Sequence, residues 1–433
     1  MQITENRRAP TIRRRLGDFG LALASGGVLL FCVCSPLSIA ASQIASGVAL
    51  LGLAIGFASG GIRYRPTPLD LPLLIFVIVD VASLLTAVDR QRSARSILGD
   101  WILLYAPIFM QSFRGSRDVR RAFTALVVSS TFAAVYALWQ MFAGQDLVRH
   151  HPLEATGSLY FATGFFGHHL TYGGNVLLTS LLATVLAIQA VGRVRPRIVI
   201  ARGLGAVAQL GAIIASFART AWIGFAAGVA AASLASRGTV RRFAAAALVG
   251  AGALAFVFPA VRARLASVAG FSDDPRTRLW RTAIRIWRDH PILGAGHGAF
   301  GRLFPIYKVP GTYMATGHPH NDLLNILVQS GIMGVLAFAF IWIRYFRYVS
   351  RARKIAHADA NDPRGGILLA GFVVGIGFLV GGLGQCFLND EVVSMLIWLI
   401  VAGTIVVARE VTEEAKEAAL GMSPAAPPDP RGH

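Results

Sequence analysis

The chain has 433 residues, of which 55% are hydrophobic and only 15% are charged, and its formal net charge is +19. A charged fraction this far below the usual value of about a quarter excludes an ordinary soluble domain. The positive charge does not indicate a nucleic-acid-binding protein, because the basic residues form short clusters between apolar segments. The composition therefore predicts an all-α, polytopic membrane protein whose basic clusters contact anionic membrane lipids.

About twelve apolar segments have the length of membrane-spanning helices, since a hydrocarbon core of about 30 Å needs roughly 20 residues. These predicted spans are residues 16–34, 37–58, 69–88, 97–113, 122–143, 170–190, 198–217, 221–236, 243–260, 322–346, 366–388 and 391–408. The fourth contains Pro107 and the eighth is short, so these two fit the length rule least well. Together residues 1–433 are expected to form a single membrane-embedded domain, and the Pro-rich residues 421–433 a disordered tail.

The basic residues predict which loops face the cytoplasm. Of the 41 Lys and Arg residues, 27 fall in segments on the same side as the N-terminus, and nine of the other 14 lie in one long loop, residues 261–321. Short cytoplasmic loops are enriched in Lys and Arg. Both termini and the tail are therefore expected in the cytoplasm. The loop 261–321, which contains most of the polar motifs, is expected to face the periplasm.

Within this loop, residues 275–287 have the period of an amphipathic helix. One face carries Leu279, Ala283, Ile286 and Trp287, and another carries Arg278, Arg281, Arg285 and Arg288. Asp273 or Asp274 is a suitable N-cap, with Pro275 in the first turn. The pattern predicts a helix that lies on the outer surface of the membrane.

Three polar residues are candidates for chemistry. Arg219 lies between two apolar segments, where burying a charge costs about 2.5 to 3.5 kcal/mol, so it needs an anionic partner or a water-filled cavity; the alternative is an arginine that reaches the interface. Arg276 opens the amphipathic helix, and a guanidinium at a helix N-terminus suits phosphate. His320 precedes an apolar helix that Asn321 or Asp322 can cap, and its imidazole has the ordinary pKa of a neutral-pH base.

Several of these residues occur in motifs of a known superfamily. Arg276 stands four residues before Trp280, residues 289–296 read DHPILGAG, and His320-Asn321 is followed nine residues later by Gly331-x-x-Gly334. In these features the chain resembles the O-antigen ligase and polymerase superfamily of membrane glycosyltransferases, and most of all the ligases. Arg219 also fits, although the family places a serine directly before this arginine, whereas here Ser216 lies three residues earlier.

The resemblance implies a GT-C-like fold in the bacterial inner membrane and an inverting, metal-independent glycosyl transfer that needs no cofactor. The donor would be undecaprenyl-diphosphate-linked O-antigen and the acceptor a sugar hydroxyl of lipid A core. Arg219 and Arg276 would hold the diphosphate, and His320 would act as the base. Further substrate-binding residues are expected to be Arg278, Arg281, Arg288, His318, Asn321, His168 and His169.

Other functions remain open at this stage. An O-antigen polymerase would use the same donor with a second lipid-linked glycan as acceptor, and a protein O-oligosaccharyltransferase would modify a protein. A flippase would also have twelve spans, but it would not need a large outer loop with a His-Asn helix start. The outer histidines, including His318-x-His320, could instead bind zinc, although their spacing follows no compact zinc motif.

Overall fold

The computed structural model describes residues 12–99, 105–236, 238–263, 275–311, 317–357 and 362–421. The expected N-cap at Asp273 or Asp274, and all of the expected tail beyond Gly421, lie outside these residues. The described part of the chain is almost entirely helical, as the composition predicts. Its helices are α1 Ile12–Cys34, α2 Ile39–Ala58, α3 Asp70–Ala82, α4 Arg90–Gly99, α5 Tyr105–Ser112, α6 Ser116–Ala143, α7 His169–Ala190, α8 Pro196–Ala215, α9 Arg219–Leu234, α10 Gly238–Val257, α11 Pro275–Asp289, α12 Ala299–Tyr307, α13 Asp322–Ala356, α14 Arg364–Gly382 and α15 Glu391–Ala419.

A 3-10 turn and four short strands interrupt the helices. The turn, Ser83–Leu85, continues α3. The strands lie between α6 and α7 and form two antiparallel pairs, β1 Gln145–Asp146 with β2 His151–Pro152 and β3 Ala155–Thr156 with β4 Leu159–Tyr160. The segment between α6 and α7 is therefore folded onto itself.

Among the described residues, eight helices are long and apolar enough to cross a membrane: α1, α2, α6, α7, α8, α13, α14 and α15. The chain is therefore a multi-pass membrane protein. Three of the other four predicted spans correspond to shorter or less continuous helices. Residues 69–88 form α3 and the 3-10 turn, residues 97–113 include the end of α4 and α5, and residues 221–236 lie mostly in the 16-residue α9. That these three segments and α10 cross the membrane stays a prediction.

Helix α15 lies at the centre of the bundle. Its residues from Val392 to Ala408 are all buried, and a helix that is apolar on every side is stable only when other helices or lipid surround it. It packs against α5, α13 and α14, where Trp398 stacks on Trp342 of α13. Helix α14 in turn packs against α7 and α9. These neighbours bring the start of α9 and the end of α14 to the same end of the bundle.

The helix α11 forms as predicted, but its expected contact with the membrane surface is wrong. Leu279, Ala283 and Ile286 are fully buried in a cluster with Phe300 of α12 and Val328 of α13. The sequence marks this face as apolar, but apolar side chains gain as much from a protein neighbour as from lipid. Because α12 and α13 cover the stripe, α11 is part of a folded outer layer.

Segments predicted on the same side of the membrane contact one another. On the side of the candidate site, Val88 N donates to Ala295 O (3.0 Å) and His169 Nδ1 lies 2.8 Å from Ser216 O. On the opposite side, Ser116 N donates to a Glu410 carboxylate oxygen (2.7 Å). The number of spans and the assignment of the two sides to periplasm and cytoplasm stay predictions.

Candidate active site

His320 sits at the start of α13 in an unusual backbone conformation. Its φ is +51°, in the left-handed region that non-glycine residues rarely adopt. The next residue, Asn321, is the N-cap of α13, and its Oδ1 accepts a hydrogen bond from Leu324 N at 3.0 Å. The helix cap that the sequence assigned to Asn321 or Asp322 is therefore Asn321. A left-handed residue beside a cap is typical of functional sites, where the surrounding structure holds the strain.

The segment between α14 and α15 holds this helix start in place. Asn321 Nδ2 donates to Leu383 O (2.7 Å), and Asn321 N donates to Cys386 Sγ (3.2 Å). Asp322 Oδ1 accepts from Leu388 N at 3.0 Å. Residues 383–388 therefore form one wall of the site. Sequence reasoning missed this wall; the available signal was Gln385, a polar residue directly after the glycine-rich end of an apolar span.

The imidazole of His320 is oriented by Gln385. His320 Nδ1 lies 2.9 Å from Gln385 Oε1, and an amide oxygen only accepts hydrogen bonds, so Nδ1 carries the proton. The neutral ring then has its free lone pair on Nε2, as a general base requires. Burial lowers the pKa of His320 below its ordinary value, and the positive charge of Arg276 lowers it further. Burial is the larger of these two causes, and both favour the neutral ring.

His318 supports the same backbone. Its Nδ1 accepts a hydrogen bond from His320 N at 3.3 Å, and the two rings meet edge to face with centroids 4.5 Å apart. Burial, and then His320, lower the pKa of His318 to about 4. His318 is therefore neutral near pH 7. Its Nδ1 accepts the backbone hydrogen bond of the turn in which His320 has its left-handed conformation.

A cavity of about 430 Å³ brings Arg219 and Arg276 together. Arg219 is the first residue of α9, Arg276 the second residue of α11, and Asn321, which caps α13, also lines the cavity. Three helix N-termini thus converge on the cavity. The partial positive charge of each N-terminus adds to the charge of the two guanidinium groups there. The remaining lining is largely apolar and includes Ile223, Trp280, Val380 and Leu383. This combination suits an anion attached to an apolar chain.

Arg276 also connects this cavity to the His320 wall. Its Nη1 donates to Gly384 O at 2.9 Å, and Gly384 directly precedes Gln385, which holds His320. A guanidinium has five donors, so Arg276 can contact more than one partner. Arg276, the 383–388 segment and His320 therefore form one connected unit.

Ser216 has a structural position in this site. It caps the end of α8; its Oγ donates to Ile213 O (2.6 Å) and accepts from Ala218 N (3.2 Å). His169 Nδ1 lies 2.8 Å from Ser216 O. The serine that the family pattern places beside Arg219 is replaced here by one that shapes the turn into α9.

The other predicted substrate-binding residues are dispersed. His168 caps α7 by accepting from Leu170 N at 3.1 Å, and it is among the groups that lower the pKa of His320, so it lies near His320. Arg278 donates to Gly311 O. Arg281 and Arg288 are exposed, and none of these three arginines lines the cavity. Their substrate-binding roles stay predictions, as do those of His168, His169 and His318.

The DHPILGAG motif and the Gly331-x-x-Gly334 motif pack against each other. At Gly331, φ is +64° and ψ is −162°, which breaks α13. The break leaves the carbonyls of Val328 and Gln329 open to accept hydrogen bonds from Ala295 N (2.7 Å) and Gly296 N (3.0 Å). The DHPILGAG turn and the Gly-x-x-Gly pattern are thus one structural joint that supports the nine residues leading from His320.

A buried polar cluster anchors this joint to α3. Asp80 Oδ1 accepts a hydrogen bond from Ser330 Oγ (2.6 Å), and His297 Nε2 lies 3.2 Å from the same oxygen. Within the described residues, no group of three or more His, Cys, Asp or Glu side chains is arranged to bind a metal ion.

Residues 204–339 match a family model described as O-antigen ligase. The matched segment contains Arg219, Arg276, His320 and both halves of the glycine joint, although Gln385 lies outside it. No curated protein matches the chain.

Proposed function

We propose that the chain is an O-antigen ligase, and the premise is the match of residues 204–339 to the O-antigen ligase family. In this proposal it transfers polysaccharide from undecaprenyl diphosphate to a sugar hydroxyl of lipid A core. The observation that carries the proposal is the cavity in which Arg219 and Arg276 meet beside an oriented His320. Members of the family are glycosyltransferase-like enzymes; the donor, the acceptor and the residue roles belong to the proposal.

The diphosphate of the donor would lie between Arg219 and Arg276. The planar guanidinium can bond two phosphate oxygens at once, and the α9 and α11 N-termini favour negative charge in the same place. The apolar lining, including Trp280 and Leu383, would contact the first part of the lipid chain. The charge that develops on the diphosphate as it leaves would be stabilised by groups that are already in position.

His320 would activate the acceptor. Its Nε2 would take the proton of the core-sugar hydroxyl while that oxygen attacks the anomeric carbon from the face opposite the diphosphate. The new carbon–oxygen bond forms as the bond to the diphosphate breaks, and undecaprenyl diphosphate leaves with the electron pair. A single displacement of this kind inverts the anomeric centre. It uses the energy of the lipid diphosphate and requires no nucleotide.

The decisive experiment replaces His320 by asparagine. Asparagine tolerates a left-handed backbone better than alanine, so His320→Asn keeps the helix start while it removes the base. We expect lipopolysaccharide laddering in a ligase-null host to fall by about 10² to 10⁴, while the purified variant still binds lipid-linked donor. The matched control is Arg285→Gln, an exposed position on α11 away from the cavity.

Three results would overturn parts of this proposal. Near-normal laddering with His320→Asn would remove His320 as the base. Accumulation of longer lipid-linked glycan in place of ladders on lipid A core would identify a polymerase. Activity that is lost in EDTA and restored by a divalent metal would contradict the metal-independent mechanism.

A further inference from the structure

A second cavity, of about 570 Å³, lies at the far end of the bundle from the candidate active site. It is formed where α6, α8 and α14 begin and α7 ends. Helix α7 begins beside the site at His169, lines the cavity from Ala183 onward and ends at Ala190 after 22 residues, a rise of about 33 Å. That length matches a hydrocarbon core of about 30 Å. The cavity therefore opens at the opposite face of the membrane.

The mouth of this cavity is strongly basic. Arg117 and Arg120 of α6 and Arg202 of α8 line it, and the salt bridges of the described residues include none that pairs these three side chains with a carboxylate. Arg364 also lines the cavity, but it is paired with Asp362 at 3.0 Å and with Glu414 at 2.7 Å. Arg193, in the segment between α7 and α8, also lines the cavity, so the positive charge at the mouth comes from α6, α8 and this segment.

The deeper wall of the cavity is apolar. Along α6, the side chains that line it change from Arg117 and Arg120 at the mouth to Phe123, Val127 and Val128 further in. These positions recur at helical spacing, so they lie on one face. Val128 is 65% exposed, so this wall continues onto the surface that faces lipid. A cavity with a cationic mouth and an apolar, laterally open wall fits an amphipathic anion better than a soluble one.

We propose that this cavity binds one anionic diacyl phospholipid from the leaflet opposite the candidate active site. Arg117, Arg120 and Arg202 hold the phosphate, and the acyl chains lie along Val127 and Val128. The volume is within the range of about 300 to 1,000 Å³ found for small-molecule sites. Basic pockets between helices at a membrane surface recognise anionic headgroups. The bound lipid connects α6 to α8 and stabilises their packing. This proposal does not depend on the reaction at the other end of the bundle.

The test uses the full-length protein, purified in detergent and supplied with single lipids. Native mass spectrometry and the thermal unfolding midpoint are measured with phosphatidylglycerol, phosphatidylcholine and undecaprenyl phosphate. We expect one phosphatidylglycerol to be retained and to raise the midpoint, with phosphatidylcholine bound at least about tenfold more weakly. The triple variant Arg117→Gln/Arg120→Gln/Arg202→Gln should lose this preference.

The matched control is Arg344→Gln/Arg347→Gln/Arg351→Gln, which removes three exposed arginines from α13 that do not line the cavity. This variant should keep the preference. Val128→Trp narrows the cavity without changing its charge, so it should also weaken phosphatidylglycerol binding. This variant provides a second test in case the triple variant does not fold. Equal binding of both phospholipids, equal losses in the test and control variants, or binding of undecaprenyl phosphate in place of phosphatidylglycerol would each overturn the proposal.

Discussion

At the residue scale, neighbouring residues fix the protonation state and the direction of the His320 side chain. Gln385 fixes the proton on Nδ1, and burial keeps the ring neutral. Asn321 and His318 hold the backbone that aims the ring. A base needs the correct protonation state and the correct direction. In the proposed mechanism Gln385, Asn321 and His318, together with burial, supply both to His320.

The lowered pKa of His320 predicts the pH dependence of the reaction. The proposed base is active when neutral, so activity is lost as pH falls through its pKa. Since that pKa lies below the ordinary value of about 6.5, kcat/KM for transfer should stay level from pH 8 to about 6.5 and fall only in more acidic solution. The measurement is a pH profile of the purified enzyme with saturating donor. A profile that falls already above pH 7 would contradict this protonation state.

The variant Gln385→Leu tests two effects of Gln385 on His320, the orientation of the imidazole ring and its pKa. The hydrogen bond to Gln385 raises the pKa of His320 against the effect of burial, so its removal should move the acidic limb to still lower pH. It should also reduce kcat about tenfold with little change in donor binding, because the ring is no longer held. An unchanged limb together with unchanged kcat would show that Gln385 has only a packing role.

The positions of Arg219 and Arg276 in the cavity predict that replacing either arginine by lysine lowers the transfer activity. Arg276 already donates to Gly384 O, and the proposed diphosphate needs further donors from the same planar group. Lysine offers a point charge and cannot reproduce this geometry. Arg219→Lys and Arg276→Lys should therefore each lose at least about tenfold in transfer, measured by laddering in a ligase-null host. Arg285→Lys, on the exposed face of α11, should keep normal activity. Full activity of both cavity variants would show that charge alone is sufficient.

At the element scale, the break in α13 depends on Gly331. Its φ of +64° disfavours any side chain, and an added Cβ would collide with the carbonyl of Ile292. A non-glycine residue in such a backbone costs about 1 to 3 kcal/mol before the collision is counted. Gly331→Ala should therefore lower the thermal unfolding midpoint and reduce transfer, because the joint supports the segment that begins at His320.

The control for this variant is Gly203→Ala. Gly203 lies within α8, and a Cβ there would meet nothing within 4 Å, so the substitution should be neutral or slightly stabilising. If Gly331→Ala has the same small effect as Gly203→Ala, the break in α13 is not required for the site.

At the scale of the whole molecule, the predicted topology can be tested by labelling. Gly317 is exposed next to the candidate site, and Leu420 is 74% exposed at the end of α15. In a Cys34→Ser background, a membrane-impermeant maleimide should label Gly317→Cys in cells with a permeable outer membrane. It should label Leu420→Cys only after the inner membrane is opened. The reverse pattern would place the candidate site in the cytoplasm and would overturn the proposed periplasmic reaction.

The sequence by itself determined the properties that depend on local pattern. Hydropathy over about 20 residues identified a multi-pass membrane protein, the period of residues 275–287 identified α11, and the order His320-Asn321 identified a helix cap. Each of these follows from residues that are close together in the chain, because helix formation, capping and membrane insertion are governed by neighbouring side chains. The family motifs added the proposed roles of Arg219, Arg276 and His320.

Only the tertiary structure decided what each of these elements contacts. Arg219, Arg276 and Asn321 are far apart in the sequence and line one cavity because α9, α11 and α13 start at the same place. The role of Gln385 depends on the return of α14 to His320. The apolar face of α11 looked suited to lipid and is covered by α12 and α13 instead. A sequence pattern shows that a face must be buried, but burial is non-directional, so its partner is fixed only by how the whole chain packs.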